Sequence, residues 1–279
     1  MNANFKRVTA VTLKYLILFC IAFVVLAPLM WMLATSLRLP RDSWSLPPRI
    51  LPTPPFVWQN YERVFTTFPF FTHLMNSIIV SSTSVVIQLV MSSMAAYALS
   101  RIKFRGQTFV FIIILTGLMI PQQVTIIPTF IILREFRLID SLVGLILPSM
   151  IFPLGVFLMR QFMLTIPMSY DEAAFMEGSG RYRIYWSIIL PMVRSTIAVS
   201  SIMHLLLVWN DFFRPLVLIN SLEKMTLPLG LTYLNGYMGA GSMSVVLAGI
   251  MVSVVPPILF FLVGQKYLMV GLETGGLKF

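Results

Sequence analysis

Residues 15–37 read YLILFCIAFVVLAPLMWMLATSL, an apolar run bounded by Lys14 and Arg38 with no charged side chain inside it. An α-helix needs about 20 apolar residues to cross the hydrocarbon core of a bilayer, so this run alone predicts a transmembrane helix. No small-residue cleavage site of the A-x-A kind follows it, which reads as a retained anchor and not a signal peptide.

Working outward, the same test finds further long uncharged intervals at Arg63 to Arg101, Arg105 to Arg134, Asp140 to Arg160 and Lys224 to Lys266, with a less clean one between Arg194 and Glu223. Six spans follow, over residues 15–37, 73–99, 108–133, 139–162, 195–220 and 244–265. The composition agrees: 58% of the 279 residues are hydrophobic and 11% are charged, against about a quarter charged in a soluble domain. The expected fold is an all-α polytopic membrane protein, one transmembrane domain over residues 1–279.

The net charge of +10 sits in short clusters beside apolar spans, the pattern of topology-setting charge and not of nucleic-acid binding. An even number of spans puts both termini on one side. If that side is the cytoplasm, it carries Lys6, Arg7, Lys14, Arg101, Lys103, Arg105, Arg160, Arg181, Arg183, Arg194, Lys266 and Lys278, twelve of the 20 basic residues. The orientation rule therefore favours cytoplasmic termini. Cys20 is the sole cysteine, which rules out an intramolecular disulfide and a cysteine metal cluster. His73 and His204 are too far apart in sequence for a local metal motif, so no metal site is expected.

The connection over residues 37–72 holds Pro40, Pro47, Pro48, Pro52, Pro54 and Pro55 with Trp44, Phe56 and Trp58, and predicts an ordered external cap. Prolines also punctuate the spans at Pro28, Pro121, Pro128, Pro148, Pro153, Pro256 and Pro257. Each removes a helix donor that neighbours or water must compensate, as fits kinked helices around a cavity.

Residues 169–191 read SYDEAAFMEGSGRYRIYWSIILP, too polar at the start to cross a membrane. Ser169 and Glu172 have the Ser-x-x-Glu spacing of a capping box. A short helix from about Tyr170 to Met176 follows, with a break at Gly178 and Gly180 and a second helical piece through Arg181 and Arg183 toward Pro191. The expectation is a helix-turn-helix lying on the cytoplasmic surface.

This stretch resembles the EAA loop of bacterial ABC importer permeases. Glu172, Ala173, Ala174, Glu177, Gly178, Tyr185, Leu190 and Pro191 stand at the family's positions, and Glu177, Ser179 and Tyr185 depart mildly from its commonest residues. Further pieces are similar to the carbohydrate-importing, maltose-type branch: Pro28-Leu29-Met30-Trp31, Ser36-Leu37-Arg38, Asn76-Ser77, Trp209-Asn210-Asp211, Leu227-Pro228-Leu229, and Val270-Gly271-Leu272 with Gly275-Gly276. The resemblance implies that residues 169–191 form the coupling segment, with Glu172, Ala173, Ala174, Glu177 and Gly178 contacting a cytoplasmic ATPase.

It also implies the assembly: a second homologous permease in a heterodimer, two ATP-binding subunits carrying ATP and magnesium, an extracytoplasmic solute-binding protein, and a carbohydrate as cargo. The location implied is the bacterial inner membrane. No cofactor is expected in this chain, which has no Gly-x-x-x-x-Gly-Lys-Ser/Thr loop to cradle nucleotide phosphates.

A sugar pathway needs hydrogen-bonding groups and an aromatic face in an apolar cavity. The candidates within spans are Asn76 and Gln88 among the serines of the second span, Gln122 and Gln123 in the third, and Trp209, Asn210 and Asp211 in the fifth. Arg214, three residues after Asp211, predicts a local ion pair. An ion-coupled secondary transporter is the alternative, and would lean on Asp211 as its intramembrane carboxylate. A membrane enzyme would need clustered acids, histidines or a nucleophile with its base; the clustered acids here belong to the coupling segment.

Overall fold

The structure is a computed structural model that describes residues 2–43, 51, 54–67, 69–236 and 242–275, with side chains over 11–43, 51, 54–67, 69–234 and 242–266. Among the described residues every regular element is helical. In chain order these are α1 (Asn2–Ser36), α2 (Gln59–Thr66), α3 (Phe70–Arg101), α4 (Gln107–Thr116), α5 (Gln122–Glu135), α6 (Leu142–Ser149), α7 (Pro153–Thr165), α8 (Ser169–Met176), α9 (Arg181–Ile184), α10 (Leu190–Met192), α11 (Arg194–Trp209), α12 (Phe213–Leu218), α13 (Leu227–Gly236) and α14 (Met243–Gly275). A π-helical turn, Tyr185–Ile189, joins α9 to α10.

Four stretches are long and apolar enough to cross a membrane: Val11–Ser36, Phe70–Arg101, Leu142–Thr165 and Met243–Lys266. A fifth forms if Arg181–Met192 and Arg194–Trp209, which meet at 76°, count as one bent span. The remaining interval, 108–133, is divided into α4 and α5. Gly117 continues the last turn of α4 by bonding to Ile114, and Pro121, extended at ψ 139°, starts α5. The 195–220 interval divides likewise, at Asn210 between α11 and α12. Hydropathy sums over such breaks without registering them.

Contacts divide the chain into two compact units. One comprises Met1–Phe70 and Leu231–Val254. Its α1 presents apolar side chains around the helix, with Phe19 and Val24 about 70% exposed, and among its described side chains those at the end, Ala34, Thr35 and Ser36, are buried. There the Asn60 amide donates to the carbonyls of Ser36 and Arg38, both at 2.8 Å, so a side chain from α2 satisfies the orphan acceptors of the α1 terminus. The Ser36 hydroxyl meets Tyr61 Oη at 2.8 Å, and Val57 N–H bonds the Leu37 carbonyl. The 37–72 connection thus contains in its described part a helix, α2, bonded to the end of α1. Its Trp44, Pro47, Pro48 and Pro52 lie outside the described residues, as do Gly276 and Lys278. The side chains of Lys6, Arg7, Val270 and Leu272 also lie outside them.

The second unit comprises Phe71–Gly230 and Val255–Phe279. Its main core gathers Ala96 and Tyr97 of α3, Met159 and Met163 of α7, Ala174 of α8, Ile184 of α9, and Tyr185, Ile189 and Val193. Gln107 and Arg160 both donate to the Leu99 carbonyl, at 2.6 and 3.0 Å, closing the last turn of α3. Arg160 also lies 4.0 Å over the ring of Phe111, which stacks on Phe157.

Candidate functional site

The α8 helix ends in a Schellman arrangement that only its sequence explains. Gly178 N–H bonds the Phe175 carbonyl and Ser179 N–H bonds the Ala174 carbonyl, each at 2.9 Å, with Gly178 at φ +79°. That left-handed conformation is what glycine supplies without a Cβ penalty. Gly180 is extended at φ −74° and starts α9, so the chain turns on Gly178 alone.

The capping box is not formed. The helix begins one residue earlier than its spacing implies: Met168 is already helical, its carbonyl takes the Glu172 N–H at 3.0 Å, and Ser169 lies inside the first turn. A cap side chain works from an extended residue outside the helix, a position Ser169 does not hold. Both glutamates and Asp171 near the α8 ends face different surroundings as a result. Glu172, Ala173, Phe175, Met176 and Glu177 are exposed, Met176 at 89%. Ala174, expected at the ATPase surface, instead points into the core beside Ala96. Its small side chain lets α8 approach α3 closely. A cleft of about 360 Å³ opens along the segment, lined by Ser169, Tyr170, Ala173, Ala174, Glu177 and Ile188.

Asp171 is the residue that sequence reading passed over. It is buried together with Arg101, the last residue of α3, and the two form an ion pair at 3.2 Å with side chains 4% and 2% exposed. Arg101 Nη1 also lies 3.0 Å from Met168 Sδ. The signal was present in part, since Asp171 shares the helical face of Ala174, three residues on. Its partner, far away in sequence, could not be read from spacing. The second arm is tied to the same helix: Tyr185 Oη meets Ser93 Oγ at 2.7 Å, and Tyr97 Oη donates to the Arg181 carbonyl at 3.2 Å.

The pathway candidates separate into distinct environments. Gln122 and Asp211 come together, with the Gln122 amide 3.2 and 3.3 Å from the carboxylate oxygens. Asp211 also pairs with Arg214 at 2.6 Å, as its spacing predicted, and Arg214 Nη1 donates to Ser149 Oγ at 2.7 Å. Asn76 is buried and its amide donates to the Glu223 and Met225 carbonyls, at 2.8 and 2.9 Å. Gln88 is buried completely and donates to Ser92 and Ser200, both at 3.1 Å, which makes it a clasp between α3 and α11. Trp209 is 6% exposed at the end of α11, whereas Asn210 is exposed and bonds back to the Leu206 carbonyl. Gln123 is exposed on α5. No group of three or more His, Cys, Asp or Glu side chains suited to a metal occurs among the described residues.

Asp140, also unforeseen, organises a loop junction. Its carboxylate accepts from Ser221 N–H at 2.8 Å, Asn220 N–H at 3.0 Å, the Ser221 hydroxyl at 2.5 Å and Lys224 Nζ at 3.1 Å. These bonds, the Ser221 hydroxyl foremost, hold the Asp140 carboxyl well below the usual carboxylate range.

Comparison with known proteins places this architecture. Residues 88–268 match the family described as the binding-protein-dependent transport system inner membrane component. The chain is 33% identical to the arabinooligosaccharides transport system permease protein AraQ of Halalkalibacterium halodurans, over 98% of this chain and 99% of that protein. It is 29% identical to the diacetylchitobiose uptake system permease protein NgcG of Streptomyces coelicolor, over 97% and 89% respectively. Its fold is similar to a chain in the crystal structure of a bacterial ABC transporter involved in import of the acidic polysaccharide alginate, with a TM-score of 0.80, 25% identity, and 96% and 99% of the two chains covered. With its helical, multi-pass architecture and end-to-end similarity to permease subunits, the chain belongs to the family of binding-protein-dependent transport system inner membrane components.

Proposed function

We propose that this chain is one membrane subunit of an ATP-driven importer that receives an oligosaccharide from an extracytoplasmic binding protein and passes it to the cytoplasm. The observation that carries this reading is identity of 33% along 98% of the chain to a permease named for arabino-oligosaccharide transport. The diacetylchitobiose and alginate systems point to the same class of cargo.

In this reading the chain crosses the bacterial inner membrane six times, the 108–133 and 195–220 intervals each crossing as broken spans, with both termini in the cytoplasm. Residues 169–191 then face the cytoplasm, and α8 is the coupling helix. Support comes from its surface: Phe175 and Met176 stay exposed beside Glu172 and Glu177, an apolar patch rimmed by charge of the kind that marks a protein partner. The partners are two ATP-binding subunits, which hold ATP and magnesium, and a second homologous permease in a heterodimer. Asp211, the carboxylate an ion-coupled carrier would use, is already paired with Arg214.

The test is purification of the tagged chain from its native membrane in mild detergent, followed by mass spectrometry and uptake assays in proteoliposomes with labelled oligosaccharides. Recovery of an ATPase and a second permease, with uptake that requires ATP, is expected. A homo-oligomer that moves solute without ATP would overturn the reading in favour of a secondary carrier.

A further inference from the structure

Of the three helices longer than 30 residues, α1 contains Pro28 and α14 contains Pro256 and Pro257. The third, α3, has 32 residues with neither proline nor glycine. Kinks arise often at such residues, so α3 runs without a proline or glycine break over about 48 Å at 1.5 Å per residue.

One end of this helix grips the coupling segment through a single stripe. Ser93, Tyr97 and Arg101 recur at four-residue intervals, one above another on the helix face. They meet Tyr185 in the π-helical turn, the Arg181 carbonyl at the start of α9, and Asp171 in α8. Both arms of the helix-turn-helix are therefore tied to α3, and the Tyr97 and Tyr185 rings pack 5.3 Å apart between the polar contacts. Tilting α8 with α3 at rest breaks a buried ion pair.

The other end grips a different segment. His73 Nε2 lies 2.6 Å from the Leu222 carbonyl, Asn76 donates to the Glu223 and Met225 carbonyls, and Ser77 Oγ accepts the Leu227 N–H at 2.7 Å. Residues 222–227 thus hang from α3 by backbone bonds at successive points. Gly230 packs so closely on His73 that a Cβ there would overlap the imidazole ring.

We propose that α3 is the rod that carries nucleotide-driven movement of α8 to the 222–227 loop, with Ser93, Tyr97 and Arg101 as positioning residues at one end and His73, Asn76 and Ser77 at the other. The proposal rests on the reading of α8 as the coupling helix. It assigns to Asn76 the role of anchoring a loop instead of touching cargo.

The assembled importer tests it with one reporter, a thiol introduced by Glu223→Cys in a Cys20→Ser chain and labelled by a membrane-impermeant maleimide, with and without ATP and vanadate. In the otherwise unaltered chain the labelling rate changes on nucleotide trapping, by about tenfold for a coupling of ordinary strength. Arg101→Gln and Asp171→Asn should still bind the ATPase subunits yet bring that change within about twofold, and Arg101→Lys should restore most of it. If either charge-removing variant fails to accumulate, the Ser93→Ala, Tyr97→Phe double variant, which deletes only two hydroxyls, decides by the same reduction. A full nucleotide response in Arg101→Gln or in that double variant overturns the proposal, as does a reporter that never responds to nucleotide. The coupling reading fails separately, if Ala173→Trp on the exposed face of α8 leaves ATPase binding intact.

Discussion

At the residue scale, Gly178 and Asp140 carry separable burdens. A Cβ at Gly178 meets nothing within 4 Å, so its only constraint is φ +79°. An ordinary L-residue in that region costs about 1–2 kcal/mol, and asparagine considerably less. Gly178→Val should therefore destabilise the α8–α9 turn by about 2 kcal/mol and uncouple ATP hydrolysis from uptake, whereas Gly178→Asn keeps most activity. Paired uptake and ATPase assays on equal amounts of assembled complex check this; equal loss in both variants would mean that space, not backbone conformation, governs the position. Asp140 is a matter of pH. Its folded-state value lies below the ordinary 3.8, so its contribution to stability is complete above the unfolded value and is lost only as pH falls through the lower folded one. The thermal stability difference between wild type and Asp140→Asn should consequently hold from about pH 7 to about pH 5 and shrink as pH falls below about 4. A difference that also stays constant on acidification from about pH 4 to about pH 2 would place the folded carboxyl at an ordinary value.

At the scale of elements, α7 crosses two neighbouring helices closely at Gly155. A Cβ there would overlap Gln88 Nε2 and come within 2.8 Å of Ser200 Oγ, so an alanine would force the side chains that clasp α3 to α11 to shift. Gly155→Ala should cost about 1–3 kcal/mol, the usual range for overpacking, read as a lowered melting temperature in detergent. Adding Ser200→Ala should recover part of it. The crossing also marks how far sequence reading reaches. The apolar runs announced α1, α3 and α14 because lipid demands length and hydropathy, both one-dimensional properties. Pro121 marked an interruption of 108–133, but the full division of that interval and the break at Asn210 went unread because a turn between two apolar helices barely alters composition. Gln88 read as a pathway residue for the same reason: a polar side chain in a span looks alike whether it lines a cavity or clasps a neighbour. In residues 169–191 the local marks were legible, namely a short helix and the stop at Gly178. Ser-x-x-Glu misled because the helix starts at Ser169 itself, and the Arg101–Asp171 pair is a tertiary fact.

At the scale of the whole molecule, the question is what covers so much apolar surface. Within Val11–Ser36 the most apolar stretch buries none of its residues inside the chain, so α1 depends on lipid or a neighbouring subunit for its solvent. On the insertion scale each Leu, Ile, Phe or Val contributes about −0.3 to −0.6 kcal/mol at a helix centre, and an arginine costs about 2.5–3.5. The ten such residues from Leu16 to Leu29 then supply roughly −3 to −6 kcal/mol. One arginine, in Val24→Arg, should leave insertion close to balance, while Phe19→Arg with Val24→Arg together should exceed the available gain. The readout is a thiol introduced by Trp58→Cys in the Cys20→Ser chain, probed from outside intact cells with an impermeant maleimide. Labelling should be full without the arginines, partial with one and lost with two. Full labelling of the double variant would mean that other spans, not the hydropathy of α1, set the position of the cap. Labelling confined to broken cells in the unmodified background would reverse the orientation proposed from the basic residues.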